Sequence, residues 1–170
     1  NGMSRSIQAA LDDAGCQPTM IDFYDAHGTG TLANDGAETS AMDIVFPSSI
    51  PVSAHKSWLG HTQGPAGILE AIVSICAMNC NQLPTIANFS APRNICPAGL
   101  LEKPDGVIHS FVKHSSAFGG SNVSTVFSDF PNVSKKEKYA VHIRGIGLVG
   151  SCHEQYSLGF RTPKRMSKVI

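Results

Sequence analysis

The chain has 170 residues, of which 42% are hydrophobic and 15% are charged, and its formal net charge at pH 7 is zero. This composition excludes a disordered chain, and the length is enough for about one domain with a real core. No apolar run approaches the roughly 20 residues that span a bilayer, so we expect no membrane span. No basic N-terminal segment leads into an apolar one, so we expect no signal peptide and a cytoplasmic location.

Basic residues are concentrated near the end of the sequence. Residues 1–132 contain five Lys or Arg and eleven Asp or Glu, whereas residues 133–170 contain eight and two. No set of aromatic residues is interleaved with the basic ones, so we expect no nucleic-acid binding. The basic segment is better suited to meet an acidic carrier protein or the acidic remainder of the protein.

Five cysteines are scattered along the sequence, at positions 16, 76, 80, 96 and 152. Cys76 and Cys80 are four residues apart in a predicted helix, and no second pair has the spacing of a metal site. This pattern indicates buried thiols in a reducing cytoplasm rather than disulfides or zinc ligands.

Hydrophobic spacing predicts four elements in the first 54 residues, each of them short. In chain order they are a helix over 4–14, a strand over 21–26, a helix over 37–45 and a strand over 52–54. Gly15 ends the first helix, and Asn34-Asp35 is the expected N-cap of the second. The first strand leads into His27 and the second into Lys56.

Residues 62–78 form the strongest predicted helix, because Ala, Ile and Leu cover nearly all of its circumference. A helix that is apolar on every side is expected to be buried on every side. Gly64, Pro65 and Gly67 near its start suit close packing and a helix N-terminus that faces a site, where the helix dipole favours negative charge.

The remaining sequence is predicted to add an antiparallel hairpin. Residues 106–114 and 122–129 alternate as strands do, and residues 115–121 between them form a long functional loop. Three further segments are predicted: an extended surface excursion over 83–104, a polar linker over 131–138 and a strand over 139–149. The order of elements predicts an α/β fold, and too few elements remain to cover the apolar helix, so the chain is expected to need a partner half.

Two histidines, His27 and His61, carry the strongest chemical signal. His27 lies among glycines at alternate positions, Gly28 and Gly30, which let the backbone turn tightly and approach a ligand closely. A neutral imidazole donates one hydrogen bond, and a charged one donates two. Two such side chains converging on one oxygen would stabilise a developing oxyanion or enolate.

The sequence gives less support to other functions for these residues. A zinc site at His27, His55 and His61 lacks the spacing of paired metal ligands, so we expect no metal. Gly28 and Gly30 alone are too short for a dinucleotide-binding fingerprint, which needs a third glycine. The other histidines are expected to be structural or on the surface: His55, His109, His114, His142 and His153.

Four motifs in order resemble the C-terminal half of a β-ketoacyl synthase, the condensing enzyme of fatty-acid and polyketide assembly. They are His27-Gly28-Thr29-Gly30-Thr31 with Asp35 and Glu38, Lys56-Ser57-x-x-Gly60-His61 with Gly64, Ala66 and Gly67, Leu83-Pro84, and Phe118-Gly119-Gly120-Ser121-Asn122. The resemblance covers about residues 1–130, which would form the synthase C-terminal domain. It implies a thiolase-like fold, in which two α/β halves pack into five α-β-α-β-α layers, usually as a homodimer.

The resemblance also implies a mechanism and the roles of single residues. In the family, a cysteine holds the acyl chain as a thioester, and malonyl on an acyl carrier protein loses carbon dioxide to give an enolate that attacks it. His27 and His61 match the two histidines that bind the malonyl thioester oxygen. Lys56 looks like the family's active-site lysine, and Glu70 stands where its acidic partner is expected. A buried lysine needs such a partner.

Further residues of the motifs would support the site. Thr29 and Thr31 belong to the first motif, and Asp35 and Glu38 are expected to cap the following helix and orient the loop. Phe118 resembles the family's gating aromatic, and Gly119 and Gly120 would let its loop move. The chain departs mildly from the family pattern at three positions: Asn34, Ala117 and Ser121.

None of the five cysteines has the setting of the family nucleophile, which lies in the N-terminal half. The fragment alone should therefore be inactive in condensation and should need an N-terminal half as its partner. The alternative is a catalytically silent subunit that shapes the chain-length pocket of a homodimeric or heterodimeric partner. No cofactor is implied beyond the phosphopantetheine of the acyl carrier protein. Residues 139–170 form a basic extension that looks like the start of another synthase unit.

Overall fold

The computed structural model describes residues 2–89 and 106–130. Its elements are α1 (Gly2–Ala14), a short 3-10 helix (Pro18–Met20), β1 (Phe23–Asp25), α2 (Leu32–Val45), β2 (Val52–Ser53), α3 (Lys56–Leu59), α4 (Ala66–Cys80), β3 (Ser110–Ala117) and β4 (Ser121–Ser128). The predicted linker over 131–138 and extension over 139–170 lie outside the described residues, as does most of the excursion predicted over 83–104. In the part that is described, no helix is long and apolar enough to cross a membrane.

The four strands form one mixed sheet in the order β2-β1-β3-β4. β1 lies parallel to β2 and to β3, whereas β3 and β4 form the predicted antiparallel hairpin. In the β1–β3 register, Phe23 is paired with Phe111 and Asp25 with Lys113. The α/β interpretation is therefore confirmed.

Successive side chains of a strand point to opposite faces, and here both faces of the sheet are covered. Tyr24 and Val112 point toward α1 and α2, where they join Ile7 and Leu11 in the larger core cluster. The opposite face carries a stack of three phenylalanine rings with centroids 4.9 and 4.8 Å apart: Phe23, Phe111 and Phe127. Two residues further along β1 and β3, the same face turns polar beneath α4.

The N-terminus of α2 differs from the prediction. The N-cap is Thr31, whose backbone is extended and whose hydroxyl accepts a hydrogen bond from the Asn34 backbone N–H at 3.4 Å. Asn34 and Asp35 therefore lie inside the first turn of the helix. The prediction failed because threonine caps a helix by the same hydrogen bond as asparagine or aspartate.

The segment before α4 also differs from the prediction. A single helical turn, α3, follows β2 directly, and Gly60 ends it with a φ of +71°. The long helix α4 therefore begins at Ala66 rather than at residue 62, after Pro65. The predicted first turn over 62–65 is not helical, because Gln63 has a φ of +59° and Pro65 is the N-cap of α4.

Within the described residues this helix is covered on one side, so burial on every side, which was expected to need a partner half, stays a prediction. Its buried positions form one stripe at helical spacing: Ala66, Glu70, Ser74 and Ala77. The stripe that packs on the sheet is partly polar, while apolar side chains face outward, with Ile68 69% exposed. The helix therefore presents an open apolar surface opposite a polar interior face.

The β3–β4 connection is shorter than predicted. The expected seven-residue loop over 115–121 is a turn at Phe118–Gly120, because β3 continues to Ala117 and β4 begins at Ser121. Gly119 and Gly120 have φ values of +85° and +84°, which allow the tight reversal. The serines that suggested a loop are ladder residues of the two strands.

Candidate active site

The glycine-rich loop after β1 is fixed by a close approach to β2. Gly28 has a φ of +51°, and a Cβ at this position would lie 2.9 Å from the Cβ of Ala54, just after β2. Only glycine fits both the left-handed backbone and this contact. The loop therefore holds His27 against the end of the sheet.

Glu38 anchors this loop from α2 and is itself buried, with 4% of its surface exposed. One carboxylate oxygen accepts hydrogen bonds from the backbone N–H of His27 at 2.7 Å and from the Tyr24 hydroxyl at 3.0 Å. The other accepts from the backbone N–H of Gly28 at 3.0 Å and from the Asn34 amide at 3.2 Å. Glu38 therefore holds the backbone of the loop through both of its carboxylate oxygens.

The other predicted supporting residues lie at the edge of the loop. Thr29 and Thr31 are joined through their hydroxyl oxygens at 3.1 Å, and Thr31 caps α2. Asp35 accepts a hydrogen bond from the Asn34 amide at 3.3 Å. These contacts stabilise the start of α2, one turn away from His27.

The structure brings His27 and His61 together. Their ring centroids are 5.7 Å apart, and the rings are nearly perpendicular, at 85°. Nδ1 of His61 accepts a hydrogen bond from the backbone N–H of Gln63 at 3.3 Å, and Nδ1 of His27 faces the ammonium of Lys56 at 3.3 Å. Because an ammonium and an amide N–H can only donate, each neutral ring must carry its proton on Nε2. Both histidines are therefore held as Nε2–H donors.

The charge state of His27 follows from its surroundings. Burial and, after it, the nearby ammonium of Lys56 lower the pKa of His27 to about 4. The ring is therefore neutral at pH 7, with a single N–H to donate. A neutral N–H donor of this kind can stabilise negative charge that develops on a bound oxygen.

Lys56 and Glu70 form a buried ion pair beside His27. Their side chains are 6% and 1% exposed, and Nζ of Lys56 lies 2.6 Å from Oε1 of Glu70. Nζ also donates to the backbone oxygen of His27 at 2.6 Å. Burial alone would raise the pKa of Glu70, but attraction to Lys113, together with the attraction and the hydrogen bond of Lys56, outweighs it and lowers the pKa.

A second layer of polar groups lies between α4 and the sheet, and none of the sequence motifs includes it. Asp25 accepts hydrogen bonds from Ser74 at 2.8 Å and from Lys113 at 3.1 Å, and Ser74 also contacts His55 at 2.8 Å. Burial raises the pKa of Asp25 to about 6 although Lys113 and Ser74 oppose the shift. Burial lowers the pKa of His55 to about 4. One sequence signal existed: charged residues two positions after a phenylalanine in each of two apolar strands.

The structure also locates the remaining candidates. Phe118 is fully exposed at the tip of the β3–β4 turn. Burial raises the pKa of the Cys16 and Cys76 thiols, which disfavours the reactive thiolate, and Cys80 lies at the last position of α4. Within residues 2–89 and 106–130, no three His, Cys, Asp or Glu side chains are grouped to hold a metal ion.

Comparison with known proteins decides the family. The family profile described as "Beta-ketoacyl synthase, C-terminal domain" matches residues 1–90, more than half of the chain. The chain belongs to the β-ketoacyl synthase family. Three of the four motifs lie within the matched residues: those of His27 and of His61, and Leu83-Pro84.

Relatives and solved structures extend this similarity. The chloroplastic 3-oxoacyl-[acyl-carrier-protein] synthase I of Arabidopsis thaliana is 38% identical over 134 residues, covering 76% of this chain and 28% of that protein. The ishigamide ketosynthase/chain length factor aligns with a TM-score of 0.70 and 34% identity, over 76% of this chain and 33% of that one. A β-ketoacyl synthase from Burkholderia phymatum STM815 gives a TM-score of 0.67 and 35% identity, over 76% and 32%.

These comparisons also confirm the predicted fold class. The described residues adopt the thiolase-like α/β fold of the ketosynthases and correspond to its C-terminal half. The chain spans about a third of the length of the relatives that it matches. The larger part of each of these relatives therefore lies outside the matched region.

Proposed function

We propose that this chain is the C-terminal part of a β-ketoacyl synthase, an acyltransferase of the 3-oxoacyl-carrier-protein synthase type, acting in fatty-acid or polyketide biosynthesis. The reaction is a decarboxylative Claisen condensation between malonyl on an acyl carrier protein and an enzyme-bound acyl thioester. One observation carries the proposal: His27 and His61 lie together with Nε2–H as the free donor on each.

The two donors suit the decarboxylation step. The malonyl thioester oxygen would accept a hydrogen bond from each Nε2–H. Meanwhile the bond between the malonyl α-carbon and the carboxylate carbon breaks, and carbon dioxide leaves. The released electron pair forms the enolate, whose charge develops on the bound oxygen. The enolate carbon then attacks the acyl thioester, a carbon–carbon bond forms, and the thiolate leaves. Removing one oxyanion donor of this type typically costs about 10²–10³ in kcat.

Lys56 acts through His27 rather than on substrate. Its ammonium is buried, and its contacts include Nδ1 and the backbone oxygen of His27 and Oε1 of Glu70. Donation to Nδ1 fixes the tautomer that leaves Nε2–H for the substrate. Its positive charge also lowers the pKa of His27 and so keeps the ring neutral.

The nucleophilic cysteine and the other partners would come from outside this chain. Several large apolar side chains are exposed and suit burial against an N-terminal half: Trp58, Leu59, Ile68 and Phe118. Phe118 at its turn would then gate acyl entry, with Gly119 and Gly120 as hinges. The substrates would arrive on the phosphopantetheine of an acyl carrier protein, in the cytoplasm, with no other cofactor, and the complete enzyme would be a dimer.

A second function is a catalytically silent subunit that shapes the chain-length pocket of its partner. The solved ketosynthase/chain length factor among the structural matches favours this alternative. The preserved pair of donors favours the first, because a silent subunit has no need of two oriented Nε2–H groups. A complete protein with a cysteine at a strand-to-helix turn in its N-terminal half would separate the two.

The test is malonyl-carrier decarboxylation by the complete synthase that contains this chain. His27→Ala and His61→Ala should each lower kcat about 100-fold or more, as expected for lost oxyanion donors. His109→Ala is the matched control, since His109 is exposed and paired with Asp129 at 2.9 Å. Undiminished rates in both of the first two variants would refute the enolate-binding role.

A further inference from the structure

Lys113 is a buried cation at the centre of the candidate site that no sequence motif indicated. It lies on β3, and 5% of its side chain is exposed. Nζ donates to Oδ1 of Asp25 at 3.1 Å and to the backbone oxygen of Ala26 at 3.0 Å. It also lies 2.6 Å from Oε2 of Glu70, an ion pair that lacks hydrogen-bond geometry. The charge of Lys113 therefore acts on two buried carboxylates rather than on solvent.

Charged and titratable groups from several elements face Glu70. The charged or titratable groups that face it are Lys113 from β3, Lys56 from α3, Asp25 from β1, and His27 and His55 from the loops after β1 and β2. The two histidines are neutral at pH 7, because burial lowers the pKa of each to about 4. Two ammonium groups thus balance two carboxylates in one buried cluster.

Loss of the Lys113 charge would upset this balance. Asp25 and Glu70 would share a single ammonium in a poorly solvated site, and Asp25, whose pKa burial already raises to about 6, would take up a proton first. After burial, attraction to Lys113 is the largest influence on the pKa of Glu70, and it lowers that pKa. Among the described residues, Oε2 of Glu70 would also lose its ion-pair partner, so the carboxylate would hold Lys56 less firmly, and Lys56 is the group that donates to Nδ1 of His27.

We propose that Lys113 is a positioning residue whose charge anchors the Glu70 carboxylate, so that Glu70 in turn holds Lys56 against Nδ1 of His27. The relay runs Lys113, Glu70, Lys56, His27, over contacts of 2.6, 2.6 and 3.3 Å. Lys113 does not touch substrate, and its effect reaches the reaction only through the donor tautomer of His27. This inference rests on the proposed function of His27.

The test uses the complete synthase with histidine labelled by ¹⁵N, so that NMR reports the tautomer of His27. Lys113→Met removes the charge and keeps a long side chain. Lys113→Met with Asp25→Asn removes one charge of each sign and leaves Glu70 and Lys56 balanced one to one. Malonyl-carrier decarboxylation is measured for both variants across pH, with His27→Ala alongside to identify the His27 signal.

In Lys113→Met we expect a population of His27 protonated on Nδ1 at pH 7 and a kcat lowered about tenfold or more, as for a displaced catalytic group, with KM little changed. The double variant should match the single one, because Asp25 is already neutral in Lys113→Met and both variants lack the contact with Glu70. A wild-type spectrum in Lys113→Met, or a double variant that regains the wild-type rate, would overturn the inference, because the effect would then come from unbalanced charge at Asp25.

Folding failures are also informative. If only the double variant folds, its His27 spectrum is the readout, and a population protonated on Nδ1 supports the anchor whereas a wild-type spectrum overturns it; failure of both variants to fold would assign Lys113 to packing alone and overturn it. The two proposals fail separately. Unchanged decarboxylation rates in both His27→Ala and His61→Ala refute the proposed function, whereas the His27 spectrum of Lys113→Met tests the relay whether or not the enzyme decarboxylates malonyl.

Discussion

Gly28 provides a test of how the His27 loop is built, because alanine at this position meets two separate obstacles. Its φ of +51° strains an L-residue, and the added Cβ would lie 2.9 Å from the Cβ of Ala54. Gly30 has a φ of +75°, but a Cβ added there would meet nothing within 4 Å. Gly30→Ala therefore suffers backbone strain alone, whereas Gly28→Ala suffers strain and a steric clash.

The expected magnitudes follow from these distances. A non-glycine residue in the left-handed conformation costs about 1–2 kcal/mol. Carbon atoms in favourable contact lie about 3.5–4.0 Å apart, so the 2.9 Å approach must open by about 0.6–1.1 Å. Overpacking of this kind costs about 1–3 kcal/mol. We expect Gly30→Ala to lower the free energy of unfolding by about 1–2 kcal/mol, and Gly28→Ala by about 2–5 kcal/mol.

Urea unfolding of the complete protein measures both losses, and a double-mutant cycle isolates the clash. Ala54→Gly removes the opposing carbon, so Gly28→Ala combined with Ala54→Gly should recover about 1–3 kcal/mol relative to the sum of the single changes. Equal losses in Gly28→Ala and Gly30→Ala, or no recovery in the cycle, would refute this account of the loop.

Three histidines contribute to the pH dependence of stability, because burial lowers their folded-state pKa values to about 4: His27, His55 and His114. The unfolded state binds more protons than the folded state between pH 6.5 and 4. The free energy of unfolding should therefore decrease as the pH is lowered, by up to about 1.4 kcal/mol per pH unit for each ring. The pKa of Asp25 is raised to about 6 in the folded state. Below pH 6, proton uptake by the folded Asp25 therefore offsets the loss of stability caused by about one of the three histidines. Urea unfolding at pH 7 and pH 5 checks the sum, and an equal stability at both values would contradict it. Glu38→Gln places an amide against backbone donors and should cost about 1–3 kcal/mol in the same assay and lower decarboxylation, whereas a variant with wild-type stability would show that Glu38 does not hold the loop. Thr31→Ala should lose about 1 kcal/mol and Thr31→Ser almost none, and similar losses in both would exclude the hydroxyl as the cap.

The sequence allowed the order of elements and the two histidines to be predicted for a physical reason. Strands of apolar residues ending at a glycine-rich loop place His27 at the end of the sheet, and this depends on local pattern. The donor tautomers depend on contacts from distant residues, and only the fold shows that Lys56 and the Gln63 backbone reach Nδ1 of the two rings.

The burial of charge could not be predicted in the same way. Alternation along β1 and β3 assigns Asp25 to the face of Phe23 and Lys113 to the face of Phe111. It does not show that this face is buried, because both faces of this sheet are covered by other elements. A lysine in a strand is ordinarily expected to point to solvent. The one-sided burial of α4 was hidden for a related reason, because its buried stripe contains Glu70 and Ser74 and its outward side is apolar.

The pairing of β1 with β3 also has a consequence for folding. In a sheet, a shift of one residue in register moves every side chain of a strand relative to its partners. Such a slip would break up the ring stack of Phe23 and Phe111 and would leave Asp25 and Lys113 as separate charges in the interior. Isolated buried charges are far more costly than a misplaced apolar group. The ion pair of Asp25 and Lys113 therefore penalises misregistered strands and selects one alignment of the sheet.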